Sequence, residues 1–159
     1  MSGFEAICQE LLSLIEEWEP KLLALDSDVI AERRNNQNRT VRQIVGHMVD
    51  SASNNTHRIV HLQYQPSPLI FPCYATHGNN DRWIAIQNYQ GEDWADLVQL
   101  WKCTNTHIVH VIGNMKADKL KNVWISGLNE EISLEAMVVD FPRHFKLHLN
   151  EIDELINQE

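Results

Sequence analysis

Apolar residues recur at three- and four-residue intervals along four long stretches of this chain, the signature of amphipathic helices. Alternation of period two never persists over a comparable length. The first stretch covers about residues 3–25, with Phe4, Ile7, Cys8, Leu11, Ile15, Trp18 and Leu22 on one side. Pro20 is expected to kink or restart it. The second opens at "TVRQ", where Thr40 suits an N-cap and Gln43 falls at the capping-box position. It runs to about residue 63 and stops at the "PSP" of residues 66–68. The third spans about residues 92–115, with Leu97, Trp101, Thr104, Ile108, Val111 and Met115 in register. The fourth starts near Ser133 and ends near residue 157, with Pro142 inside it as a second expected kink.

A long connection, residues 65–91, separates the second and third helices and has room for one short helix at about 81–89. Connections of this length usually carry function. The pattern predicts an all-α fold: a four-helix bundle in one domain over residues 1–159. A long crossover between helices two and three makes it something other than up-down-up-down.

Placing side chains at 100° per residue separates the histidines. The chain has eight of them. Random placement gives roughly 0.4 pairs at the i,i+4 spacing that puts two rings on one helix face. Two such pairs occur, His57/His61 and His144/His148. His144 and His148 fall at the edge of the arc formed by Leu134, Met137, Val138, Phe141, Phe145, Ile152 and Leu155, so they face inward. Buried imidazoles need partners, and one metal shared by both would satisfy them. His57 and His61 lie opposite the second helix's apolar arc and read as surface residues, as does His110. His107 is ambiguous, and His77 lies in the long connection. His47 sits at the border of the core face. It heads a polar ladder of Ser51, Asn55 and Arg58, which suits the lining of a cavity. A histidine there is either a hydrogen-bonded structural residue or a third ligand. Three neutral imidazoles would hold a borderline divalent metal and leave coordination positions open. Asp50 and Asp140 are placed to orient ligands through the second ring nitrogen, or else sit on solvated helix edges.

The formal net charge of −9 argues against a nucleic-acid groove or an anionic membrane surface. No apolar run approaches a membrane span. The start shows no secretory signal, and the three cysteines form no CxxC pair, so reduced thiols in a cytoplasmic protein are expected. Phe145 stands where a HExxH protease has its glutamate, which disfavours that chemistry.

These residues resemble a known family. "TVRQIVGHMVDSASNNTHR", then "FPCY", "RWIAIQNY", Trp94, "LW" at 100–101, Asn105 and "HFKLHLNEI" follow the order and spacing of the DinB-like superfamily. The match is nearest its bacillithiol-transferase-like branch and runs from Leu22 to the C-terminus. The resemblance implies a four-helix bundle whose divalent metal, zinc or nickel, is held by His47, His144 and His148. It also implies a small-molecule substrate, a frequent homodimer, and transfer of a low-molecular-weight thiol to an electrophile, with isomerases and hydrolases among relatives. Arg58 would then suit a carboxylate of the thiol co-substrate. Two positions depart from the pattern: Arg39 replaces a frequent Trp, and Pro142 replaces an aliphatic residue, where a kink would move His144 away from His47. The alternative to an enzyme is a non-catalytic metal- or small-molecule-binding stress-response module.

Overall fold

The computed structural model describes residues 3–158. Its four long helices are α1 (Glu5–Leu23), α3 (Val41–Tyr64), α5 (Trp94–Gly113) and α6 (Leu134–Ile156). Two shorter helices, α2 (Ser27–Ala31) and α4 (Asn79–Gln87), and three strands, β1 (Leu69–Ile70), β2 (Val123–Ile125) and β3 (Glu131–Ser133), fill the connections.

Local chemistry sets the helix starts. The Thr40 side chain accepts from the backbone N–H of Gln43 while the Gln43 side chain accepts from the Thr40 backbone N–H, a complete capping box. Asp93 and Ser133 cap α5 and α6 in the same way, accepting from Asp96 and Ala136. Helix ends leave orphan carbonyls. Arg33 donates to the last carbonyls of α6, at Leu155 and Ile156, and Trp94 Nε1 donates to Leu22 at the end of α1.

α3 packs on α5 and α6, and α1 packs on the same two helices from the other side. The ends of α3 and α5 coincide. Thr40 meets Gln90 and Arg42 meets Glu92 at one end, and Gln63 accepts from the Lys116 N–H at the other. These neighbours therefore run parallel. A helix of 24 residues is about 36 Å long. About eleven extended residues would span that length, so the residue 65–93 connection returns along the bundle with chain to spare. It spends the surplus on β1, α4 and a covering loop. Helices α1 and α6 run against α3 and α5, giving an up-down-down-up bundle with the expected crossover.

The core is one cluster. It includes Leu11, Ile15 and Leu22 of α1, Ile44, Val45, Met48 and Ile59 of α3, Trp101, Ile108 and Ile112 of α5, and Val138, Phe145 and Ile152 of α6. Each such side chain contributes about 1.5–3 kcal/mol relative to exposure. Among the described residues, no helix is long and apolar enough to cross a membrane.

The two internal prolines do not break their helices, and two other expectations need correcting. Helices α1 and α6 run unbroken through Pro20 and Pro142. Each proline forfeits one intrahelical bond. In α6 the buried residues Val138, Phe141 and Phe145 flank Pro142 on the docked face. The short helix in the connection starts at Asn79 and ends at Gln87, earlier than the pattern suggested. α2 and the three-stranded sheet were not anticipated; β1 pairs parallel with β2, and β2 antiparallel with β3. Strands of two or three residues are too short for a period-two signal to register.

Candidate metal centre

His47 projects from the first half of α3, and His144 and His148 from the middle of α6, the helix packed beside it. Ring centroids lie 4.6 Å apart for His47–His148, 4.4 Å for His144–His148 and 5.6 Å for His47–His144. One nitrogen from each of the three lies within 4.8 Å of the others. The pair is also spaced for shared coordination. Nε2 of His144 and Nε2 of His148 are 3.1 Å apart. Two nitrogens about 2.0–2.1 Å from one zinc lie about 2.9–3.4 Å apart for angles between square and tetrahedral. The donor set thus fits a divalent ion.

The outer nitrogens decide the tautomers. His148 Nδ1 meets Glu151 Oε2 at 2.8 Å. An ionised carboxylate only accepts, so Nδ1 carries a proton, and Nε2 is the nitrogen turned to His144. The Tyr74 hydroxyl lies 2.9 Å from His47 Nδ1 and 3.4 Å from the His47 carbonyl oxygen. In the tautomer that leaves Nε2 bare for a metal, Nδ1 carries the proton and donates to the Tyr74 oxygen, whose own proton turns to the carbonyl. Such partners fix a ligand's orientation and basicity.

Electrostatics favours the same state. Burial, then the neighbouring His148, Arg39 and His144, lower the His47 pKa to about 2. Burial, His148 and Arg143 lower that of His144 to about 4. Burial pushes the Glu151 carboxyl upward, but its bond to His148 together with the nearby His148, Arg39 and His144 charges outweighs that and leaves it below the usual range. Metal binding needs neutral imidazoles, and both are neutral at pH 7.

The expected orienters fall elsewhere. Asp50 is buried, but its Oδ1 accepts from Tyr89 Oη at 2.6 Å and Gln87 Nε2 at 2.8 Å. It ties the end of the connection to α3, while Tyr74 takes the place beside His47. Gly46 makes that tie possible: a Cβ there would stand 2.2 Å from the Tyr89 ring. Asp140 lies at the surface in an ion pair with Arg143, at 2.5 and 2.9 Å. Sequence reasoning missed Glu151, three residues after His148 and hence on the same helix face. It also missed Tyr74, which lies in the quoted "FPCY" but outside any periodic element.

The ladder opens on a cavity of about 410 Å³. His47, His144, Ser51, Asn55, Arg58, Tyr74 and Asp140 line it beside Trp124, Ile132, Met137 and Phe141. Cys73 borders two neighbouring cavities with Arg58. The other histidine pair stands apart. His57 is exposed, while His61 is half-buried against Phe71 and bonded to Tyr64 and Gln65, so it is less of a surface residue than its spacing implied. His107 and His110 are exposed.

No protein-family model and no curated protein matches the sequence. Solved structures do match in architecture. YfiT from Bacillus subtilis, described as a probable metal-dependent hydrolase with an unusual four-helix bundle topology, superposes with a TM-score of 0.82 at 18% identity, over 95% of this chain and 84% of that one. A mutant of the mycothiol-dependent maleylpyruvate isomerase superposes with a TM-score of 0.75 at 10% identity, over 94% of this chain and 60% of the isomerase. By architecture this chain is a four-helix bundle with the topology of YfiT.

Proposed function

We propose that this chain is a divalent-metal-dependent enzyme acting on small molecules, that His47, His144 and His148 are its metal ligands, and that it transfers a low-molecular-weight thiol to an electrophile. The observation that carries this reading is the convergence of three imidazoles, two of which, His47 and His144, line the 410 Å³ cavity. Two of them have Nδ1 already bonded outward. Imidazole donors suit zinc or nickel. A bound divalent ion would supply Lewis acidity and favour the deprotonated form of a thiol held beside it.

The chain's own residues do the rest. Tyr74 and Glu151 keep protons on the outer nitrogens. Trp124, Ile132, Met137 and Phe141 make an apolar wall that limits water, and Ser51 and Asn55 offer hydrogen bonds to a bound molecule. No cysteine lines this cavity, so the attacking sulfur comes with the substrate. The thiol dependence of the isomerase that shares the fold fits this assignment. Hydrolysis is the second reading, favoured by the description of YfiT; it needs water in place of the thiol.

The test is turnover of activated aryl halides and epoxides, with and without added thiols, by protein loaded with zinc or nickel. Thiol-dependent conjugation is expected. It should be lost on chelation and in His148→Ala, and kept in a Cys8→Ser, Cys73→Ser, Cys103→Ser variant. Turnover without thiol would favour the hydrolase. A loaded protein with a saturated coordination shell and no turnover would instead mark a binding module. The homodimer that the resemblance implies is read separately, from sedimentation of the loaded protein.

A further inference from the structure

Arg58 brings a positive charge to the edge of the core with no carboxylate to meet it. The residue is only 7% exposed. Its Nη1 donates to Asn55 Oδ1 at 3.0 Å, and the guanidinium lies 4.2 Å from the centre of the Trp124 ring. Among the described residues it makes no ion pair, and its Nε and Nη2 donate to no protein acceptor. A buried guanidinium without a counter-charge is costly. Nor are the idle donors sealed in the interior: the fully enclosed, partnerless side-chain atoms belong to Arg42, Asp50, Trp101, Asn105 and Trp124. The free N–H groups of Arg58 therefore open onto the space it lines, the 410 Å³ cavity and the two beside it.

We infer that Arg58 is the receptor for a carboxylate on the molecule that occupies the 410 Å³ cavity, a small monocarboxylic acid with an apolar body. The planar fork of a guanidinium matches a carboxylate, two N–H groups to two oxygens. Stacking on Trp124 and the bond donated to Asn55 hold that fork in place. The lining limits the charge of the ligand. Arg58 is the one Lys or Arg on it, and Asp140, also on it, is already paired with Arg143. One cation suits a monoanion; a phosphate dianion would lack its second partner. With the acid on Arg58, the apolar body has Met137, Phe141 and Ile132 to lie against, and its far end has His47 and His144. That this molecule is a substrate rests on the function proposed above. That Arg58 selects a carboxylate does not.

The experiment compares phenylacetate, phenylacetamide and benzylphosphonate by NMR titration, following the Arg58 Nε–H resonance, in zinc-loaded and in chelator-stripped protein. Phenylacetate should bind about tenfold more tightly than the amide, as expected for a charge-assisted pair against a neutral one. It should also outcompete the phosphonate, shift the Arg58 signal, and do both without metal. Arg58→Gln should erase the preference for acid over amide, and Arg58→Lys should keep part of it, with zinc stoichiometry unchanged in each. Equal affinity for acid and amide, no binding by either, preference for the phosphonate, or a preference that survives Arg58→Gln would overturn the assignment. If Arg58→Gln does not fold, the wild-type titration and Arg58→Lys decide. Acid preference in a protein that turns over no thiol leaves this inference standing and removes the proposed reaction. Turnover with no acid preference does the reverse.

Discussion

Tyr74→Phe removes one hydroxyl and nothing else from the metal centre. Tyr74 is 4% exposed and its ring packs edge-on against Trp83 at 5.2 Å, contacts that phenylalanine keeps. In the tautomer that binds metal through Nε2, the lost oxygen is the acceptor for Nδ1–H of His47, itself 4% exposed. A buried donor left without a partner costs about 1–3 kcal/mol. His47 has one escape, to move its proton to Nε2, the nitrogen that faces His144 and His148. That tautomer satisfies nothing at Nδ1 and removes the lone pair a metal needs. The metal-free variant should therefore unfold at a lower temperature, by about 2–4 °C for each kcal/mol in a chain of this size. Its zinc affinity should fall about 10- to 100-fold, the usual effect of deleting a ligand's hydrogen-bond partner. The assay is competition against a chelating zinc indicator, with thermal unfolding measured in excess chelator. Tyr64→Phe is the control, because that hydroxyl also meets a histidine nitrogen, His61 Nδ1 at 2.9 Å, but on a side chain 65% exposed and remote from the site. A zinc affinity for Tyr74→Phe within about twofold of wild type would refute the reasoning, since an orienting bond of no consequence is not orienting anything.

Replacing His57 and His61 together by Ala should leave bound metal unchanged and lower stability by about 0.5–1 kcal/mol, because both rings pack edge-on against Phe71; loss of metal there would show that the wrong pair has been chosen. Metal-free protein should lose stability as pH falls from about 6.5 toward 4. Over that range the unfolded chain protonates His47 and His144 while the fold, which holds their pKa values at about 2 and about 4, does not. The native state then binds fewer protons, and the effect is absent above the unfolded pKa; a urea midpoint equal at pH 7 and pH 5 in chelator would contradict it. Gly46→Ala should destabilise by about 1–3 kcal/mol in urea unfolding although Ala favours helix, because the added methyl meets the Tyr89 ring. A gain in stability would mean that Tyr89 is free to move.

What the sequence disclosed follows from where periodicity operates. The three clustered histidines lie on long amphipathic helices, so a helical wheel could tell His144 and His148 from His57 and His61, and a capping box could mark the start of the helix that carries His47. The sheet, α2 and Tyr74 lie in segments too short or too irregular for any period, and their places depend on pairings such as Leu69 with Trp124, which only tertiary structure sets. Asp50 and Glu151 show the limit inside a helix. Each follows one of the clustered histidines by three residues, His47 and His148, and spacing alone makes both plausible orienters. Glu151 keeps that role because it extends along its own helix toward His148 Nδ1. Asp50 does not, because the connection lays Tyr89 and Gln87 against it, and two donors held at 2.6 and 2.8 Å claim its carboxylate first. Helical spacing therefore nominates an orienting group, and the chain packed against that helix decides whether the group is still free to serve.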